Sequence, residues 1–327
     1  VIICYKSDRK LSIKIIAQSS FSKFAFLACY FDFFSSIQIK LIFFSKVMSR
    51  FEELERSRPD KLSDTKYLKD NFAFTGELFL GHLRYGTYGG NSIENCHPFL
   101  RENNWMTRNL VVAGNFNLTN VDELFQLLID LGQHPKQKAD TVTVMEKIGH
   151  FLDEENQLQF DRFKQEGHDN KKITELISEH LDVQRMLTRA TRDFDGGFAI
   201  AGLIGHGDAF VLRDPSGIRP AYWYENDEIA VVASERPPIQ AAFNASLIDI
   251  HELAPGHALI IKKNGETGVK PIIEPREKKS CSFERIYFSR GNDEAIYNER
   301  QSLGKNVVPR ILQAVNFDLE NTVFSFI

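Results

Sequence analysis

The chain has 327 residues, 43% of them hydrophobic, with a formal net charge of −4 at pH 7. That length can bury a substantial core in one large domain or two modest ones. The slight acidic balance, with Lys and Arg scattered, gives no electrostatic case for nucleic acid or an anionic membrane. Four cysteines (Cys4, Cys29, Cys96 and Cys281) are widely spaced, without a disulfide framework or metal-ligand spacing, so the cytoplasm is the expected compartment.

Residues 1–47 differ from the rest: they are rich in Phe, Ile, Ser and Lys and contain neither Gly nor Pro. Phe24 to Phe31 is apolar, but Asp32 interrupts it and Lys23 and Lys40 flank the wider stretch, which is too charged for a clean transmembrane helix. It has basic residues ahead of an apolar run but no small-residue cleavage site. The preferred reading is translated non-coding sequence joined ahead of Met48, with an unusual membrane anchor as the alternative. From Met48, FEELERSRPDKLSDTKYLKDN reads as a charged helix-loop-helix at the surface.

The stretch GHLRYGTYGGN (81–91) is the one around which the remaining chain is organised. In LFLGHLRY, Leu78, Leu80, His82 and Arg84 share one strand face and Phe79, Gly81, Leu83 and Tyr85 the other, so the run is predicted as a strand buried on both sides. It ends in a glycine-rich loop. A guanidinium at such a junction is placed either to hold a carboxylate bidentately or to make a structural ion pair.

His97-Pro98-Phe99 comes next, and NLVVAGN (109–115) is predicted as a strand running into a polar turn. Asn117 to Asn120 enters a helix with apolar positions Val121, Leu124, Phe125, Leu128 and Leu131, stopped by Gly132. Asp140-Thr141 starts another, with Val144, Met145, Ile148, Phe151 and Leu152 on its buried stripe. Asp140 also suits a helix N-cap. Residues 153–192 read as charged and mostly helical. Beyond Asp195-Gly196-Gly197 the period switches to two, and short strands divided by turns predict a meander of antiparallel hairpins. RDPSGIRP (213–220) is a tight turn. Helices over antiparallel sheet make a layered α+β domain.

GHLRYGT, GNFNLTN, Asp140-Thr141, RDPSGIRP, VASE and LAPGHALII stand in this order over roughly residues 75–265, and together they resemble the class II glutamine amidotransferases of the N-terminal-nucleophile type. The tail, CSFERIYFSRGND with Tyr297, Arg300 and Gly304 beyond it, resembles the junction between glutaminase and phosphoribosyltransferase domains in the amidophosphoribosyltransferase branch. The resemblance implies an α+β fold laid down as a four-layer αββα sandwich. It also implies three segments: a non-matching leader (1–47), a glutaminase domain incomplete at its N-terminus (48–280), and the junction with the beginning of a transferase domain (281–327).

It further implies site roles. In such enzymes a terminal cysteine thiolate attacks the glutamine amide, and its own α-amino group acts as base. Arg84 matches the carboxylate clamp, with Tyr85 and Thr87 on the loop over glutamine, although Thr87 reads equally as a hydroxyl making a local turn. Asn115 matches the oxyanion-hole asparagine, with the backbone N–H of residue 116 as second donor. That residue is usually glycine and is Phe116 here, and the usual preceding histidine is Gly114. Asp140 matches the anchor of the substrate ammonium. Arg213, Asp214 and Arg219 match a hairpin read as structural.

Neither the Cys-Gly start nor the His-Arg-Gly-Gln stretch of the family occurs: Cys4 precedes Tyr5-Lys6, and Cys29 precedes Tyr30-Phe31. The expectation is a fragment that does not itself hydrolyse glutamine. The intact enzyme would use glutamine, phosphoribosyl diphosphate and Mg²⁺ to make 5-phosphoribosylamine, and would be a homo-oligomer. Cys281 occupies a position that binds an iron–sulfur cluster in some members, and a buried thiol is the preferred reading. No metal is expected in the glutaminase segment. Two alternatives stay open: another amidotransferase of this class, or a nucleophile-free module that binds glutamine.

Overall fold

The computed structural model describes residues 2–5, 49–50, 52–72, 76–82, 97–135 and 139–325. Arg84, Tyr85 and Thr87, and the leader beyond Tyr5, lie outside them. The chain divides into two compact units, Val1–Lys279 and Ser280–Ile327.

The first unit contains two antiparallel sheets. One has six strands in the order β11-β10-β6-β5-β4-β3, namely Thr267–Pro271, His257–Ile261, Ala209–Arg213, Gly196–Ile204, Leu110–Leu118 and Phe99–Arg101. The other has five in the order β2-β1-β8-β7-β9: Leu78–Leu80, Ile2–Tyr5, Ile229–Ala233, Tyr222–Glu225 and His251–Glu252. The period-two segments are therefore not one meander. The chain leaves the six-stranded sheet after Arg213, makes β7 to β9 of the other, and returns at His257. The RDPSGIRP turn is the crossing point.

Residues 2–5 of the leader pair with β2 on one side and with β8 on the other. Of the LFLGHLRY run, residues 78–82 are described: the strand Leu78–Leu80 is partly buried rather than fully enclosed, and Gly81 is exposed.

One face of the six-stranded sheet carries Leu110, Val112, Phe198, Ile200 and Leu212, which pack with Val144, Met145, Ile148 and Leu152 of the long helix α3 (Asp140–Gln165). Helix α2 (Val121–Asp130) adds Leu124 to this core, with Val121 packed against it, and Leu128 is fully buried, as the helical spacing anticipates. Leu131 is instead exposed at 47%, because the helix closes at Asp130 and Gly132, at φ +82°, takes the left-handed position that ends it. Each fully buried Leu or Ile contributes on the order of 1.5–3 kcal/mol. The opposite face of this sheet supplies Val211, Leu259 and Ile261 to a second core with Ala230 and Val232 of β8. Beyond β8, its outward residues Ile229 and Val231 pack with Ile239 of the helix Arg236–Phe243.

A buried charge cluster fastens the β5–β6 hairpin. Asp208 is fully buried; it pairs with Lys262, accepts the Lys263 N–H at 2.8 Å, and lies 3.1 Å from Nε2 of the equally buried His206. Burial pushes the Asp208 carboxyl up, but His206 and Lys262 outweigh it and hold it below its ordinary value of 3.8. A depressed folded pKa stabilises the fold above the unfolded value, and that stability is lost as pH falls through the folded one. Asp208→Asn is expected to cost about 2–3 kcal/mol at neutral pH and to flatten the acid limb of stability. Thermal melts from pH 7 downward test this; an acid limb with unchanged steepness in the variant would contradict it.

In the second unit, helix Glu294–Ala314 is capped by Asp293, whose side chain accepts the N–H groups of Ala295 and Ile296. Arg285 pairs with Glu299, and Arg300 donates to the carbonyls of Ile286 and Ser289 at 2.5 and 2.7 Å. Cys281 is partly exposed rather than buried, because it stands in the irregular segment ahead of the helical turn Phe283–Phe288. Among the described residues no helix is long and apolar enough to cross a membrane.

Candidate functional site

Strand β4 carries two of the sequence-nominated residues, and it runs on to Leu118 where a turn was expected after Asn115. Its pairing with β5 continues through Asn115↔Ala199 and Phe116↔Phe198 to Leu118↔Gly196. Asn115 and Phe116 are thus held by regular strand geometry. Side chains alternate: Phe116 packs against the core under α3, while Asn115 is exposed on the face that, farther along the sheet, meets the second sheet.

Backbone direction alternates too. The Thr119 N–H donates towards β5, to the Asp195 carbonyl, whereas the Gly114 N–H points the other way, to Nδ1 of His97 at 3.1 Å. In an antiparallel strand, residues two apart direct their N–H groups to the same edge. The Phe116 N–H therefore points, like that of Gly114, away from β5. The direction of this N–H is set by the strand and does not depend on the side chain, so phenylalanine presents it as glycine would.

Helix α3 opens with Asp140. Ala139 is its N-cap and makes no side-chain cap, so Asp140 is the first helical residue and not the cap. Its Oδ1 accepts from the Thr141 N–H at 2.7 Å and from the Thr141 hydroxyl at 3.2 Å. A carboxylate in the first turn is favoured by the positive end of the helix dipole. Both of these bonds fall on Oδ1 and fix the orientation of the carboxylate.

Sequence reasoning named His97 but gave it no role. The structure puts its ring between the two parts of the site: Nδ1 takes the Gly114 N–H, and Nε2 lies 3.0 Å from Oγ1 of the buried Thr141. His82 stacks on it with ring centroids 4.5 Å apart, and Phe116 lies tilted at 5.7 Å. Only its position before Pro98, between the nominated loop and β4, pointed to it in the sequence. Arg84, Tyr85 and Thr87 fall outside the described residues, so the site is seen without its expected clamp.

Arg213 and Asp214 are engaged in the turn they begin. The Arg213 guanidinium donates to the carbonyls of Arg219, Leu253 and Gly217 and to Glu252. Asp214 accepts backbone N–H groups from Phe198, Ser216, Ile218 and Arg219. Among the described residues, no group of three or more His, Cys, Asp or Glu is arranged to hold a metal ion.

Sequence comparison gives this geometry a context. No family model matches the chain. Curated relatives do: the amidophosphoribosyltransferase of Archaeoglobus fulgidus is 28% identical over 235 residues, covering 70% of this chain and 44% of that protein. That of Bacillus subtilis is 29% identical over 237 residues, covering 70% and 42%. The chain resembles amidophosphoribosyltransferases. The Escherichia coli enzyme, at 25% over 248 residues, covers 72% of this chain and 44% of its own. The chain therefore spans less than half the length of these relatives. A solved structure of glutamine phosphoribosylpyrophosphate amidotransferase from B. subtilis, complexed with ADP and GMP, aligns with a TM-score of 0.49 at 24% identity, covering 70% of this chain and 42% of that one.

Proposed function

We propose that this chain is the glutamine-binding part of an amidophosphoribosyltransferase, built on the αββα layering of N-terminal-nucleophile hydrolases. The observation that supports the reading is the hydrogen-bonded link from Gly114, which precedes Asn115 and Phe116 on β4, through His97 and Thr141 to Asp140; we read Asn115 and the Phe116 N–H at one end of it and Asp140 at the other. These are donors for a developing oxyanion and an acceptor for an ammonium, the two ends of bound glutamine. Arg84, with Tyr85 and Thr87, would hold the α-carboxylate, which shares its carbon with the ammonium.

The intact enzyme would release ammonia from glutamine and deliver it to C1 of phosphoribosyl diphosphate, acting as a cytoplasmic homo-oligomer. Mg²⁺ would neutralise the diphosphate in the transferase domain; the diphosphate-binding loop of that domain is not in this sequence, so no step is assigned to residues here. Cys281 has no set of partner ligands among the described residues that would hold an iron–sulfur cluster. Neither Cys4 nor Cys29 stands in a Cys-Gly pair, so no residue here is assigned as the nucleophile.

Titration calorimetry with L-glutamine tests the reading. The wild-type chain is expected to bind without releasing ammonia, and Asp140→Asn is expected to weaken binding roughly 10- to 100-fold, the loss of one charge-assisted contact. A wild-type chain that shows no heat of binding with glutamine would overturn the proposal.

A further inference from the structure

His97 accepts a backbone proton at one ring nitrogen, and that fixes its chemistry. The Gly114 N–H can only donate, so Nδ1 must offer a lone pair and the ring proton sits on Nε2. Nε2–H then donates to Thr141 Oγ1, and the hydroxyl passes its own proton on to Asp140 Oδ1. The hydrogen bonds in the chain Gly114–His97–Thr141–Asp140 thus run in one direction, from the backbone N–H to the carboxylate.

We propose that His97 is a positioning residue of this site, holding the Asp140 carboxylate in register with the β4 edge as a neutral, Nε2-protonated imidazole. The proposal rests on the glutamine-binding reading for its purpose, though not for its tautomer. The mechanism is steric and directional. With the hydroxyl and the amide of Thr141 both on Oδ1, the carboxylate cannot rotate without breaking two bonds, and Thr141 cannot turn away without losing His97. Phe99 meets the imidazole edge-on at 5.4 Å, and Phe116 and the stacked His82 enclose it further. His82 faces the ring directly, and Asp140 faces it through Thr141.

Protonating Nδ1 would break the Gly114 bond and set a positive charge near the acceptor for the substrate ammonium. Both effects weaken glutamine binding, so affinity should fall as pH drops through the imidazole range. Gln at position 97 offers an acceptor and a donor but does not titrate.

Two measurements decide the matter on the full chain. In ¹⁵N-histidine spectra, with the signal assigned by its loss in His97→Gln, His97 should show a protonated Nε2 and a bare Nδ1; the opposite tautomer would overturn the proposal whatever glutamine does. In calorimetry, His97→Ala should weaken glutamine roughly 10-fold, the loss of about one hydrogen bond's worth of orientation. His97→Gln should restore most of that and lose the fall in affinity between pH 7.5 and pH 5.5. An alanine variant that binds like the wild type, or a glutamine variant that keeps the wild-type pH dependence, would also overturn it. If Asp140→Asn abolishes binding while His97→Ala does not, the site stands and this inference alone fails. If the wild type binds no glutamine, the functional reading falls and the tautomer still decides the geometry.

Discussion

Arg213→Met is expected to destabilise the first unit by about 3 kcal/mol, since a buried carbonyl left without its donor costs roughly 1–3 kcal/mol, which is several degrees in the thermal midpoint. Arg213 is 2% exposed, and its guanidinium is the only side chain seen to join the turn at 214–219 to the return segment at 252–253 among the described residues. Methionine fills much of the volume but leaves the carbonyls of Arg219, Leu253 and Gly217 without this donor. It also removes a partner of Glu252. Burial pushes the Glu252 carboxyl up, but Lys278 and Arg213 outweigh that and hold it below the ordinary value of 4.5.

This depression sets the sign of the pH effect. Stability from Glu252 is present above its unfolded pKa and disappears as pH falls through the lower folded one. The variant should therefore be least stable relative to wild type near neutrality, with the gap narrowing in acid. Arg213→Lys separates charge from geometry. An ammonium can keep Glu252 company but cannot serve three carbonyls in a planar fork, so it should recover only part of the loss. Equal stability of the Lys variant and the wild type, read by denaturant titration, would show that the fork is not what the turn requires.

The elements of the six-stranded sheet and its helices were legible in the sequence because each carries its own period. The α3 stripe Val144, Met145, Ile148, Phe151 and Leu152 repeats on one helical face; four of these enter the core, and the partly buried Phe151 packs against it. The strands from Gly196 onward alternate, and the turn at Pro215 to Gly217 is marked by its residue types. What period cannot tell is which strands pair. β7 and β8 read like β5 and β6, yet they belong to the other sheet, and Arg213 and Asp214 make their hydrogen bonds at the turn where the chain crosses.

The polar run Gly114 to Asn117 looked like a turn for a similar reason. Gly and Asn are turn formers by local preference, but here β5 supplies partners as far as Leu118, and Asn115 and Asn117 simply occupy the exposed alternate positions. His97 was invisible as a site residue because its partners are 17 and 44 residues away. The nominated residues Asn115, Phe116 and Asp140 came from resemblance, and what the fold adds is the link between them.

Gly114→His, which would place the residue usual in the resembled family at this position, is expected to destabilise the chain by about 2–3 kcal/mol, within the range for overpacking. A Cβ at 114 would stand 2.6 Å from the Ala199 carbonyl oxygen, 2.9 Å from Phe116 Cδ1 and 3.1 Å from Ile200 Cα. Two of these three neighbours are backbone of the paired strand β5, which cannot move aside without disturbing the central ladder. The Cβ itself is the source of the clash, so Gly114→Ala should cost nearly as much as the histidine. Removing the Phe116 ring relieves one contact of the three; Gly114→His with Phe116→Gly should therefore recover only part of the loss, and it opens a void against the helix-side core that adds its own cost.

The measurement is a set of denaturant midpoints for the Ala, His and double variants. If the double variant matched wild-type stability, Phe116 would be the sole obstacle and glycine at 114 a mere companion to it. If, as expected, all three stay destabilised, β4 and β5 approach too closely for any side chain at 114. The chain then carries its imidazole on His97 because the strand has no room for one.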